Sequence, residues 1–160
     1  VGGKGTPATV AASRAKVWYV LHPYTASGDG SSYGTEAADA LRLGHDRVFK
    51  TLVATVDGTL TVGVVPVGAA LDLKALAAAA GGKRATMADP GDAERATGYV
   101  RGGISPLGQR RRLRTVIDSS VTGHPTVFVS AGRRGVQMEL APHDLVRLTR
   151  AVTARISTGG

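Results

Sequence analysis

Two runs of alternating apolar residues, "RVFKTLVATV" and "TLTVGVVPV", are separated by the dipeptide Asp57-Gly58. A period of two marks a strand with a buried face, and Asp-Gly favours the left-handed backbone of a two-residue hairpin turn. An antiparallel pair is therefore expected from about Arg47 to Val67. One residue breaks the pattern. Lys50 falls on the same face as Val48 and Leu52, so a cation stands where an apolar side chain belongs.

The remaining elements follow from local signals. Thr6 and Pro7 make an N-cap and first-turn pair for a helix to about Lys16, and "VWYVLH" reads as a short strand. After the Gly/Ser loop "TASGDGSS", Thr35 caps a helix expected to close at Gly44. Asp72 caps an Ala-rich helix that stops at Gly81-Gly82, and Asp89-Pro90 opens another that ends near Gly98. "KRATMA" and "LRTVIDSS" read as strands, "GYVRGGISPLG" as irregular, and "PTVFVSAGRRGVQMEL" as two strands joined by a glycine-containing turn. A final amphipathic helix is expected from Pro142 to about Ile156. Hairpins interleaved with helices disfavour a doubly wound parallel sheet. The expected class is α+β: a curved, mixed, mostly antiparallel sheet with a barrel-like core surrounded by helices, in a single domain over residues 1–160.

Composition narrows the function. Without cysteine, disulfides, thiolate metal sites and a cysteine nucleophile are excluded, and any thiol chemistry must come from a partner. No apolar run is long enough to span a bilayer, so a cytoplasmic protein with no membrane partner is expected. The net charge is +8, with Arg110, Arg111, Arg112 and Arg114 clustered in "QRRRLR". Clustered guanidiniums attract phosphates, although such a run also serves simply as a solvated surface.

A search for catalytic constellations eliminates more than it finds. In "GGISPLG", Gly102 and Gly103 let the backbone approach a ligand and offer N–H groups to a carbonyl oxygen or phosphate, as an ordinary glycine-rich turn also would. Ser105 lies in Gly-x-Ser-x-x-Gly spacing, which is not a nucleophile elbow, and Pro106 follows it. His22, His45, His124 and His143 each sit beside a turn, cap or loop signal, which leaves no evident base. The histidines are scattered and the carboxylates unclustered, so no metal and no cofactor are expected. Asp118 at the end of "TVID", with Tyr24 and Tyr33 beside the Gly/Ser loop, could line a pocket, although a strand-terminal Asp is more often a turn former and a loop tyrosine more often a core lid.

The ordered words "YGTEAA", "RVFKTLV", "VVPV", "LDLKALA", "MADP", "TGYVRGGISPLG", "VID" and "VSAGRRGVQMEL" closely resemble the YbaK/EbsC family of aminoacyl-tRNA deacylases, related to the editing domain of prolyl-tRNA synthetase. The resemblance spans roughly His22 to Leu145. It implies the fold of that family and the removal of cysteine from mischarged tRNA(Pro), with Cys-tRNA(Cys) a further substrate and prolyl-tRNA synthetase a partner. The family lysine falls on Lys50, and Gly102, Gly103, Ile104 and Ser105 match the glycine loop expected to hold the ester region. Tyr24 and Ser130 fall on pocket positions; Phe49, Thr51, Gly132 and, more weakly, Asp118 join them as expected substrate contacts. The run Arg110, Arg111, Arg112 and Arg114 is then expected on the tRNA acceptor end. The implied mechanism is substrate-assisted: the cysteine thiol attacks its own ester, and the protein orients it and stabilises the oxyanion. Two other readings stand beside it: an editor for another small amino acid that uses an activated water, and a non-catalytic module that binds tRNA or a synthetase.

Overall fold

The computed structural model describes residues 5–26 and 33–159. Along the chain come α1 (Pro7–Arg14), β1 (Tyr19–Pro23), α2 (Tyr33–Ala40), β2 (Phe49–Val56), β3 (Thr59–Pro66), β4 (Ala70–Leu71), α3 (Leu73–Ala79) and β5 (Ala85–Met87). They are followed by α4 (Pro90–Thr97), β6 (Arg114–Asp118), a 3-10 turn (Ser119–Gly123), β7 (Val127–Ser130), β8 (Val136–Leu140), α5 (Pro142–Thr149), β9 (Val152–Ala154) and β10 (Ser157–Thr158).

The hairpin forms as its sequence dictates. Asp57 and Gly58 both take positive φ, 49° and 83°, and β2 pairs with β3 in register from Phe49↔Pro66 to Val56↔Thr59. The Asp57 carboxylate also accepts the N–H groups of Lys83 and Arg84, each at 2.9 Å, and so fixes the start of β5 against the same turn. Five strands run in the order β5-β2-β3-β6-β9, antiparallel in the first two pairings and parallel in the last two. β1-β8-β7 form a separate antiparallel sheet, and β10 pairs with β4. One parallel bridge, Val48↔Phe128, joins the two larger sheets at the start of β2. The result is a mixed, curved assembly and not a closed barrel.

Both faces of the central strands are covered. Phe49, Val53, Val62, Val64 and Ile117 enter the main core with Val127, Val129, Met138, Leu140 and Leu145. Ala54, Val56, Val65 and Val116 pack under Leu76 and Ile156, while Val48 and Val67 join Ala38 and Phe128 in a third cluster. Lys50 thus sits on a face between two small apolar cores.

Two helix ends differ from expectation for one reason. α2 begins two residues before Thr35 and stops at Ala40, short of Gly44, because Arg42 adopts φ 57°. Leu43 N–H then donates to Ala38 O at 2.8 Å and Arg42 N–H to Asp39 O at 3.1 Å, a Schellman closure with Leu43 packed near Ala38. α5 ends at Thr149 instead of Ile156, with Arg150 at φ 54° and the same pair of bonds, Ala151 to Val146 and Arg150 to Arg147. The tail continues as β9 beside β6, and Ile156 is buried. An arginine in the left-handed region costs about 1 kcal/mol relative to its right-handed form, which glycine avoids at some cost in unfolded-state entropy. Arg150→Gly is therefore expected to be neutral or to stabilise by a few tenths of a kcal/mol, and Arg150→Val to destabilise by about 1 kcal/mol, read by urea melts.

A polar network clamps β1, β7 and β8 together. His22 Nε2–H donates to Glu139 Oε1 at 2.8 Å, Thr126 Oγ1–H donates to Glu139 Oε2 at 2.6 Å, and Arg47 donates to both oxygens of Thr126. Burial pushes the Glu139 carboxyl up, but the hydrogen bonds from Thr126 and His22 and the charges of His22 and Arg47 outweigh it and hold the group below its ordinary value. Such a carboxylate stabilises the fold above its unfolded-state pKa and loses that contribution as the pH falls through its folded value. Glu139→Gln is expected to lower stability at neutral pH by about 1 kcal/mol. The deficit should shrink in acid below the glutamate range, in melts run across that interval.

Candidate active site

A cleft of about 880 Å³ opens where the sheet pairing of β2 is interrupted. β3 covers one edge of β2 along its whole length, but on the other edge β5 pairs only with Ala54–Val56. Beyond the single bridge at Val48, β7 does not pair with β2. The edge at Lys50–Leu52 therefore has no strand neighbour. Ala88 N–H donates to Val53 O on this side, and by the alternation of the strand the backbone groups of Thr51 share that edge.

Lys50 is half-buried at this window and lines the cleft. Burial lowers its ammonium pKa, and among the described residues no carboxylate or acceptor reaches it. α2 lies close because Gly34 has no side chain: a Cβ there would stand 2.4 Å from Val67 Cγ1. Thr51 and Gln137, 9% and 6% exposed, also line the cleft, and Thr51 Oγ1 and Gln137 Oε1 have no hydrogen-bond partner among the described residues. A buried polar atom left unpaired costs about 1–3 kcal/mol, so these two favour a ligand that supplies hydrogen bonds.

The glycine loop forms one wall, and its residues part company. Gly102, at φ 88°, and Ile104 face the cleft, and their N–H groups have no protein acceptor among the described residues. Gly102 packs on the ring of Tyr33, where a Cβ would lie 2.7 Å from Cε1. The Arg134 guanidinium stacks 5.0 Å from the centre of that ring and donates to both Glu36 oxygens at 3.1 Å, which braces α2 against the loop. Gly103 N–H is used within the loop, donating to Val100 O at 3.0 Å. Ser105 is fully buried away from the cleft, and its Oγ accepts the N–H of Leu107 at 3.1 Å. Beneath it, Tyr99 donates to Leu107 O at 2.6 Å, its phenol pushed up to about 12 by burial.

Of the other expected contacts, Phe49, Thr51 and Ser130 line the cleft. Ser130 Oγ accepts the N–H of Gly132 at 3.1 Å, and Gly132 itself packs against Thr6 and Tyr99 outside the cleft. Tyr24 is not among the lining residues; its N–H donates to Gly135 O at 2.9 Å, and most of the Gly/Ser loop after it, residues 27–32, lies outside the described residues. Asp118 is remote from the cleft and anchors the tail, accepting from Ile156 N–H at 2.9 Å and from Ser120 Oγ–H at 2.6 Å. Burial pushes its carboxyl up, yet these bonds prevail and hold it below the ordinary value. Arg110, Arg111, Arg112 and Arg114 are exposed, with Arg111 beside a smaller cavity at the Gly58 end of the hairpin and Arg114 donating to Ala80 O. Lys50 stands near the opposite end of β2. Gln137, Glu94 and Arg101 line the cleft and were not singled out by sequence.

Among the described residues no three His, Asp or Glu side chains gather to hold a metal, and no helix is long and apolar enough to cross a membrane. The cleft instead combines a cation, free N–H groups and unpaired neutral polar atoms, the equipment of a site for a polar, electron-rich ligand. The family model of the aminoacyl-tRNA editing domain matches residues 30–148, and the chain belongs to this family. It is 39% identical over 144 residues, covering 89% of this chain and 87% of the relative, to the Enterococcus faecalis (strain ATCC 700802 / V583) protein named "Putative Cys-tRNA(Pro)/Cys-tRNA(Cys) deacylase EbsC". A solved structure described as "a putative trans-editing enzyme for prolyl tRNA synthetase" superposes with a TM-score of 0.77 at 25% identity, over 88% of this chain and 87% of that one. A hypothetical protein of solved structure shares the fold, with a TM-score of 0.83 at 24% identity over 94% of this chain and 99% of that one.

The lysine carries a cost in stability. With its folded pKa lowered, the ammonium weakens the fold at neutral pH, and the penalty disappears as the pH rises through the folded pKa toward the unfolded one. Lys50→Met is expected to raise Tm at pH 7, and the gain should shrink in alkali; a fall in Tm would assign the lysine to structure.

Proposed function

We propose that the protein deacylates cysteinyl-tRNA, Cys-tRNA(Pro) foremost and Cys-tRNA(Cys) as a further substrate, with the cysteine thiol as nucleophile. The observation that carries this reading is what the cleft lacks beside what it offers. Among its described lining residues there is no histidine, Ser130 Oγ accepts the Gly132 N–H, and the carboxylate of Glu94 accepts the Arg101 N–H through Oε2 at 2.9 Å. In this reading acyl transfer draws its nucleophile from the substrate.

In the proposed step the substrate sulfur, having lost its proton, attacks the ester carbonyl carbon. A C–S bond forms, the bond from that carbon to the ribose oxygen breaks, and the ribose oxygen takes up a proton, so a cyclic thiolactone leaves and no water is consumed. Well-oriented intramolecular attack reaches effective molarities of about 10⁵ to 10⁸ M, enough to replace an enzymic nucleophile. Gly102 and Ile104 N–H groups would receive the oxyanion, Lys50 would hold the ribose or phosphate oxygens, and Thr51 and Gln137 would receive the α-amino group. A proline pocket cannot strongly exclude cysteine, because a difference of a methylene group is worth only about 1–3 kcal/mol, and a second sieve resolves the ambiguity. Delivery of the tRNA by prolyl-tRNA synthetase belongs to the same reading.

The test is deacylation of Cys-tRNA(Pro) beside Ala-tRNA(Pro), with the parent protein and Lys50→Ala. Loss of cysteine alone, reduced by at least about a hundredfold in the variant, is expected. Loss of alanine too would favour an activated water, and loss of neither would favour a binding module. Gln137→Ala is expected to raise KM several-fold.

A further inference from the structure

We infer that Arg101 and Arg133, on the two sides of the Gly102–Gly103 loop, form a phosphate clamp at the mouth of the cleft that receives the last phosphodiester of the RNA 3′ end. The inference rests on the deacylase reading and goes beyond it by naming which cations guide the substrate in.

The loop brings the two residues together. Gly103 N–H closes a turn onto Val100 O, which sets Arg101 within the turn, and Glu94 Oε2 accepts the Arg101 N–H at 2.9 Å and fixes it there. A Cβ on Gly103 would lie 2.7 Å from Arg133 Cα, so the Arg133 backbone rests directly on the same loop. Both arginines are exposed, Arg101 lines the cleft, and neither guanidinium has an ion pair or hydrogen bond among the described residues.

No carboxylate among the described residues forms an ion pair with either guanidinium. Glu36 is paired with Arg134, and Glu94, still anionic, accepts the Arg101 backbone N–H. Other arginines are committed to structure: Arg47 to Thr126 and Glu139, Arg95 to Asp92, Arg114 to Ala80 O. Lys50 inside and two free guanidiniums at the rim make a positive path into the cleft, matched to an ester whose nearest phosphodiester lies one nucleoside away. Arg111, beside the Gly58 end of the hairpin, and its neighbours Arg110 and Arg112 are left for the more distant stem.

The test compares Arg101→Gln/Arg133→Gln with Arg110→Gln/Arg111→Gln/Arg112→Gln on cysteinyl-tRNA and on 3′-O-cysteinyl-adenosine, which has no phosphate. For the double variant on tRNA, KM should rise about tenfold with kcat nearly unchanged, and the slope of log KM against log salt should fall by about 0.7, the share of one phosphate on a single strand. On the adenosine ester it should match the parent. Unchanged KM on tRNA, equal loss on both substrates, or loss confined to the triple variant would overturn the clamp. Binding of an unacylated RNA hairpin with a single-stranded 3′ end, followed by anisotropy, reads the clamp independently of turnover. If the parent protein leaves cysteinyl-tRNA intact, the deacylase reading fails, while weaker hairpin binding by the double variant still upholds the clamp and equal binding overturns it.

Discussion

The site depends on one strand being paired unequally along its two edges. β2 is held by β3 from end to end, and both its faces are packed, so it cannot shift register without moving a whole apolar set to the wrong side. Its second edge is closed at Val48 by the bridge to Phe128 and at Ala54–Val56 by β5, and is open between them. A rigid strand with a short open window can present a lysine, a buried hydroxyl and bare backbone to the same cavity. The glycine loop and α2 can approach that window because Gly34, Gly102 and Gly103 leave no side chain between the elements.

This arrangement also accounts for the cost of Lys50. A half-buried ammonium with no partner among the described residues opposes folding, and the surrounding aliphatics cannot relieve it. Its desolvation, together with the unpaired oxygens of Thr51 and Gln137, is tolerated by a frame stabilised elsewhere: the three apolar clusters, the Glu139 network and the Asp118 anchor of the tail. Strain of this kind concentrated in one cleft is what a preorganised ligand site looks like.

What could be read from sequence was set by how local the chemistry is. Asp57-Gly58, Asp72 and Asp89-Pro90 carry turn and cap signals whose outcome involves only near neighbours, and each forms the element expected. The ends of α2 and α5 were not legible, because Arg42 and Arg150 read as helix formers and take the left-handed conformation only when the following chain is drawn into a core or onto β6. Lys50 announced itself by violating an alternation. Gln137 and Glu139 are both polar residues on one face of β8, and only the tertiary structure buries the first in the cleft wall and joins the second to His22. Ser105 carried a suggestive motif but serves its own turn, a distinction that spacing alone could not make.

The most direct measurement is single-turnover deacylation of cysteinyl-tRNA(Pro) against S-methylcysteinyl-tRNA(Pro), which keeps the sulfur and loses the nucleophilic thiol. The substrate-assisted account predicts rapid release from the first and survival of the second at the spontaneous rate. Comparable enzymic rates on both would contradict it and require a nucleophile that the cleft or its water supplies.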